Sequence, residues 1–214
     1  MESLFLSLEY FVDLIKLKNI LAICNMFEKD NIFVFDNLIS DELCDECISF
    51  IDKYAMHDES NFMKTTNVKA KTISEEDCQF IDVKMMMKLD ENVHNVIGKL
   101  VQCIYEKRKV SLTSDSGFNF RKVYGETKLH TDGVHHDSNG VVENNRFRQM
   151  AVIIALNGDY DGGQFYFPLQ NVTIKLKKGQ IIAFPPFWTH PHGVKTPENN
   201  TFRYTINTWL CGLG

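Results

Sequence analysis

Two periodicities divide this chain. Up to about Lys107 apolar residues recur at helical spacing, whereas beyond Lys109 they alternate or cluster in short runs broken by turn residues. The first 27 residues are rich in Leu, Phe and Ile, interrupted by Glu9, Asp13, Lys16 and Lys18. With no basic n-region and no small-residue cleavage site, that pattern predicts an amphipathic helix, Leu4 to Phe27, docked on the domain rather than a signal or a span. A peripheral membrane helix is the alternative. Asn31 to Leu38 (NIFVFDNL) reads as a strand, and Ser40-Asp41-Glu42 caps a helix from Asp41 to Tyr54. Ala55 to Lys71 is polar, lacks a period and reads as a loop. Ser74-Glu75-Glu76-Asp77 fits a capping box. A helix over Asp90 to Lys107 would carry Val93, Ile97, Leu100, Val101 and Ile104 on one face.

In the second half the predicted strands are Asn119 to Tyr124, Gln149 to Leu156, Gln164 to Phe167, Val172 to Leu176, Gln180 to Phe184 and Arg203 to Leu210. Gly125, Asn157-Gly158, Asp161-Gly162-Gly163, Lys178-Gly179 and Pro185-Pro186 separate them. Many short strands after a helical half predict an α+β chain with a mainly β core. The expected architecture is a double-stranded β-helix, or jelly roll, with N-terminal helices packed on one sheet.

Length and composition narrow this picture. A chain of 214 residues accommodates a helical extension over 1–30 and a single domain over 31–214, its catalytic core at about 115–212. A hydrophobic fraction of 44% with 24% charged residues is that of a soluble globular protein. The net charge of −5 and the lack of a polybasic run argue against a nucleic-acid partner, and no membrane partner is expected. Six scattered cysteines without secretory features read as reduced thiols, and a cytoplasmic location fits them. Cys44-Asp-Glu-Cys47 has C-x-x-C spacing, but no second pair or nearby histidine completes a zinc site. Oligomeric state is not legible.

The candidate chemistry lies in the β half, which holds five of the seven histidines between positions 130 and 192. In His130-Thr131-Asp132, strand geometry would turn an imidazole and a carboxylate to one face, roughly 7 Å apart. A lone H-x-D is common by chance. Thr189-His190-Pro191-His192-Gly193-Val194, about 60 residues further on, offers a third ligand: His192, with His190 as the competitor. Two histidines and one carboxylate leave coordination positions open, which suits non-haem Fe(II) holding a cosubstrate and O₂. Arg203 then heads an alternating strand and shares a face with Thr205, Asn207 and Trp209. A guanidinium turned into a β interior costs several kcal/mol unless paired, and a dicarboxylate would pair with it bidentately.

With these pieces in order, the chain resembles a prolyl 4-hydroxylase-type 2-oxoglutarate and Fe(II)-dependent dioxygenase. The likeness spans roughly Asn31 to Leu210 and is specific from about Phe118. It is carried by Val123-Tyr124-Gly125, the H-x-D at His130, the strand from Arg148 to Leu156-Asn157, Asp161-Gly162-Gly163-Gln164-Phe165-Tyr166-Phe167-Pro168, the strand Lys177 to Phe184, and His192-Gly193-Val194 followed by Arg203-Tyr204 and Trp209. Gln164 stands where the family usually has glutamate. The stretch from His192 to Arg203 is a residue longer than usual, with Asn199-Asn200-Thr201 in place of a glycine.

The resemblance implies Fe(II) on His130, Asp132 and His192, with 2-oxoglutarate as cosubstrate and its distal carboxylate on Arg203 and Tyr124. L-ascorbate is admitted beside them. It implies hydroxylation of a peptide or protein substrate, proline first, with release of succinate and CO₂. The alternatives are the same chemistry on a non-prolyl substrate, or a non-catalytic cupin-like metal-binding module, against which Arg203 speaks. His135, His136 and Asp137 fall in a segment, Gly133 to Arg146, that reads as a polar lid. Trp188 is expected beside the metal, and Trp209 in the core.

Overall fold

A computed structural model describes residues 26–55, 69–75, 78–84, 88–133 and 146–213. Its elements in chain order are β1 (Met26–Lys29), β2 (Ile32–Phe35), α1 (Asp41–Ala55), β3 (Lys69–Glu75), β4 (Cys78–Lys84), α2 (Lys88–Arg108), β5 (Ser114–Asp115), β6 (Asn119–His130), β7 (Arg146–Ala155), β8 (Asp161–Gly162), β9 (Phe165–Phe167), β10 (Val172–Ile174), β11 (Ile181–Phe184), β12 (His192–Val194), β13 (Pro197–Glu198) and β14 (Arg203–Leu213). Helix α1 begins where Ser40 Oγ accepts the Leu43 amide at 3.3 Å, with Asp41 and Glu42 in the first turn.

All pairings in the main sheet are antiparallel, and its path runs β1-β2-β11-β7-β14-β6-β12-β9-β10. Strand β6 belongs to both halves of that path: Asn119 to Val123 pair with β14, while Thr127 and His130 pair with β12. The sheet folds over at β6, so its larger half is covered on both faces. On one face Ile154, Ile181, Ile206 and Leu210 meet Ile51, Val93 and Leu100 of the helices. On the other, Ile153 and Ile182 meet Phe165, Phe167 and Val194 of the smaller half. Burial on both faces is why β7 and β11 read as continuous apolar runs instead of alternating. The expected double-stranded β-helix with helices on one sheet is the fold observed.

Three expectations are corrected. Met26 and Phe27 belong to β1, not to a helix; the rest of that helix lies outside the described residues. β1 and β2 form a hairpin whose turn residues Asp30 and Asn31 have φ of 52° and 62°, conformations that aspartate and asparagine tolerate. The capping box at Ser74 is not used: Glu75 stands opposite Cys78 in a β3–β4 hairpin. Pairing of β4 with β6 outweighs the local helical signal. Lys69 to Lys71 lie in β3 rather than in the loop, of which 56–68 are outside the described residues.

Cys44, Cys47, Cys103 and Cys211 are buried free thiols. No helix among the described residues is long and apolar enough to cross a membrane.

Candidate active site

A bulge in β6 aims the first ligand candidate. His192 stands opposite His130 and Val194 opposite Thr127, so β6 takes three steps where β12 takes two. Arg121, Val123 and Thr127 face the interior pocket, and the extra residue reverses the alternation so that His130 faces it as well. Asp132 lies beyond the end of β6, not on it as the strand reading had expected. That end is fixed by the Gly133 amide, which donates to the Pro186 carbonyl at 2.9 Å. The Asp132 carboxylate reaches 3.3 Å from His130 Nε2 and 3.9 Å from His192 Nε2. The ligand atoms of the three residues lie within 4.8 Å of one another, the one such group of histidine, cysteine or carboxylate side chains found among the described residues.

Protonation follows from the neighbours. His130 Nδ1 is 2.8 Å from the Lys128 carbonyl, and His192 Nδ1 is 3.1 Å from the His190 carbonyl. A carbonyl only accepts, so each Nδ1 carries the proton and, in the neutral ring, Nε2 turns a lone pair toward Asp132. Burial lowers the His192 pKa, against the pull of the Asp132 charge, which keeps the ring neutral. Burial works to raise the Asp132 pKa, but the neighbouring His130, His192 and Trp209 side chains outweigh it, and the carboxyl stays below its usual range. Two imidazole lone pairs facing an ionised carboxylate suit a cation between them.

His190 is buried but turned elsewhere. Its Nε2 donates to the Asp30 carbonyl at 2.8 Å, and its Nδ1 accepts from the Thr189 hydroxyl at 2.9 Å. Both ring nitrogens are thus occupied, and Nε2 ties the segment before β12 to the β1–β2 turn. His192, packed against Phe184 and Phe167 at ring-centroid distances of 4.5 and 5.7 Å, is the histidine that joins the cluster.

Arg203 enters the same pocket from the start of β14. It is 5% exposed, its guanidinium lies 4.9 Å from the Phe165 ring centroid, and neither Nε nor Nη1 has a hydrogen-bond partner. Burial pulls its pKa down to about 10. Gly163 makes room for it: a Cβ there would stand 2.8 Å from the Tyr160 ring and 3.1 Å from Arg203 Cδ, and the residue holds a φ of 65°. A buried guanidinium with two unpartnered nitrogens fits an anionic ligand.

Tyr124, expected beside Arg203, does not line the pocket. Arg121 and Val123 face inward opposite Thr205 and Arg203, so alternation turns Tyr124 to the other face with Lys122. Trp188 is 81% exposed rather than packed on the cluster. Trp209 is not simply core; it lines the pocket, with the Arg148 guanidinium 4.0 Å from its ring centroid. His135, His136 and Asp137 lie outside the described residues. Arg121 and Arg148 were missed; the inward parity of Arg121 follows from Val123 standing opposite Arg203, a register between strands that no local signal shows.

Comparison with known proteins agrees with this geometry. Residues 120–211 match the family model of the 2OG-Fe(II) oxygenase superfamily. A stretch of 69 residues is 36% identical to prolyl 3-hydroxylase 1 of Rattus norvegicus and of Homo sapiens; it is 30% of this chain and 9% of those proteins. The fold is similar to that of the viral collagen prolyl hydroxylase of Paramecium Bursaria Chlorella virus-1 in its 2OG complex (TM-score 0.61, 18% identity, 86% of this chain and 97% of that one). It is also similar to a Pseudomonas putida prolyl-4-hydroxylase (TM-score 0.59, 14% identity, 86% and 94%). A third likeness is to a Trichoplax adhaerens prolyl hydroxylase in complex with a hypoxia inducible factor peptide fragment (TM-score 0.55, 15% identity, 85% and 83%). The residues that match the 2OG-Fe(II) oxygenase family model contain the His130, Asp132, His192 cluster and Arg203, and the fold that carries them is similar to that of these prolyl hydroxylases.

Proposed function

We propose that this protein is an Fe(II)- and 2-oxoglutarate-dependent dioxygenase that hydroxylates a peptidyl substrate, proline first, and releases succinate and CO₂. The observation that carries the reading is Arg203, a buried cation with unpartnered nitrogens in the pocket that also holds two histidines and a carboxylate. A module that only bound metal would gain nothing from such a group, which costs stability unless an anion meets it.

His130, Asp132 and His192 would hold the iron, and Arg203 would take the distal carboxylate of 2-oxoglutarate. The iron, with cosubstrate and O₂, supplies oxidising chemistry: decarboxylation of 2-oxoglutarate to succinate and CO₂ coupled to insertion of one oxygen atom into a C–H bond. The chain supplies position and a dry wall. Lys128 and His190 carbonyls hold the two imidazoles in the tautomer that presents Nε2, and Phe167, Phe184 and Phe165 keep water from His192 and Arg203. His130, 37% exposed at its side chain, marks the open side from which a substrate would approach. A peptidyl proline substrate is supported by the structural neighbours, which include a collagen prolyl hydroxylase and a prolyl hydroxylase bound to a peptide.

The test is incubation of the Fe(II)-loaded protein with 2-oxoglutarate, air and a panel of proline-rich peptides. Succinate is followed by NMR and the peptides by mass spectrometry. A peptide that stimulates succinate release and gains one oxygen atom on proline supports the reading. Succinate release that no peptide stimulates removes the peptidyl substrate and leaves the oxygenase chemistry.

A further inference from the structure

Helices α1 and α2 leave a groove between them that shares no residue with the pocket. Leu38, Ile39, Leu43 and Val96 form its apolar part, and Glu42 and Glu46 stand on its α1 side. A stable interface between two proteins takes about 20–30 residues a side. Ten described residues line this groove, so it suits a short segment better than a second folded molecule.

The path of the chain indicates which segment. Strand β2 starts near the end of α2, where the Arg108 guanidinium lies 5.4 Å from the Phe33 ring centroid, and leads on to Ile39, which shares the groove with Val96 further up the same helix. Strand β1 is antiparallel to β2, so going back from Glu28, paired with Arg108, to Met26, opposite Phe35, leads the same way. One cross-strand step and three chain steps put Leu38 within about 17 Å of Met26. Met26, where residues 1–25 join the described chain, thus stands near the mouth of the groove. Met26, Leu43 and Val101 are partly buried against the helix-side core, and this apolar edge continues from the entry point to the groove.

The sequence of the segment matches that seat. Leu4, Leu8, Phe11 and Ile15 recur at i, i+4, i+7 and i+11, a single stripe in a helix, with Glu9, Asp13 and Lys16 on the opposite face. Lys18 borders the stripe and is opposite in sign to Glu42 and Glu46. A tethered segment also meets the groove at a high effective concentration, an advantage that a separate partner lacks.

We propose that the groove between α1 and α2 is the seat of the chain's own residues 4–25, bound as a helix with Leu8, Phe11 and Ile15 toward the apolar part and Lys18 toward Glu42 and Glu46. Seated there, the segment clamps together the two helices that cover the larger half of the sheet.

The test uses the full chain. Carbodiimide, which joins an amine directly to a carboxylate, should link Lys16 or Lys18 to Glu42 or Glu46 within one molecule, read by mass spectrometry on mixed light and heavy-isotope protein. Phe11→Asp/Ile15→Asp should lose the link and exchange amide hydrogens roughly tenfold faster along the groove sides of α1 and α2, with Fe(II) binding unchanged. Glu42→Lys/Glu46→Lys should have the same effect on exchange, and adding Lys16→Glu/Lys18→Glu should reverse it. Absence of the link, or a link and exchange rates that Phe11→Asp/Ile15→Asp leaves as in wild type, overturns the proposal. Links only between molecules assign the groove to a second copy and also overturn it. So does flotation of the wild type, but not of Phe11→Asp/Ile15→Asp, with phosphatidylcholine–phosphatidylserine vesicles while exchange at the groove is the same in both, which makes the segment a membrane helix.

Discussion

His130 and His192 stand directly opposite each other on β6 and β12, their ring centroids 4.5 Å apart, and each donates its Nδ1 proton to the carbonyl two residues before it. The two rings are thus fixed by the same local device on two strands. The device works because the β6 bulge brings His130 to the inner face, and the Nε2 atoms then meet over Asp132.

This relationship separates the two C-terminal histidines. His192→Ala should abolish metal binding, because it removes a ligand candidate from a cluster of three. His190→Ala should retain metal, since His192 leans on the His190 backbone carbonyl and not on its ring. It should still lower stability by about 0.5–1.5 kcal/mol through loss of the hydrogen bond to the Asp30 carbonyl. Metal content after anaerobic dialysis, with urea unfolding of both variants, checks the pair; metal loss in His190→Ala with retention in His192→Ala would reverse the assignment.

Arg203→Met should separate stability from ligand response. A buried guanidinium with unpartnered nitrogens is a liability in the ligand-free protein. Replacing it with an apolar side chain of similar length should stabilise that form by roughly 1–2 kcal/mol. The thermal shift that 2-oxoglutarate gives the metal-loaded wild type should vanish. A ligand-free variant markedly less stable than wild type would mean that the arginine serves the fold.

How much of this could be read beforehand depended on whether the signal was local. The alternation of Arg203, Thr205, Asn207 and Trp209 is a property of one strand, and all four line the pocket as the pattern required. The H-x-D spacing was equally visible, but not the bulge that makes it work, because a bulge exists only relative to the partner strand. Tyr124 failed for a related reason: its face is set by Val123 opposite Arg203, a long-range register. The β3–β4 hairpin hid behind a capping box whose helical signal lost to pairing with β6. His190 and His192 could not be separated from sequence, since the partner of His190 is a turn carbonyl 160 residues away.

The C-x-x-C pair on α1 should be chemically silent at neutral pH. Burial pushes the Cys44 thiol up to about 11 and the Cys47 thiol up to about 12, from an ordinary 9.0. Only the thiolate is nucleophilic, so iodoacetamide at pH 8 should leave both unmodified in the native protein and label both in urea. The linkage sign follows. Between pH 9 and these raised values the unfolded chain holds fewer protons on the two thiols than the native one, so stability is full below about pH 9 and falls as pH rises through that window. Cys44→Ala/Cys47→Ala should flatten the fall in a series of urea melts; an unchanged slope would contradict the assignment.

The most direct measurement is succinate release from 2-oxoglutarate by Fe(II)-loaded wild type, Asp132→Ala and Arg203→Met, each with its bound iron quantified. The account predicts succinate from the wild type, loss of both iron and succinate in Asp132→Ala, and iron retained without succinate in Arg203→Met. Iron bound equally well by Asp132→Ala, together with no succinate from the iron-loaded wild type, would contradict it.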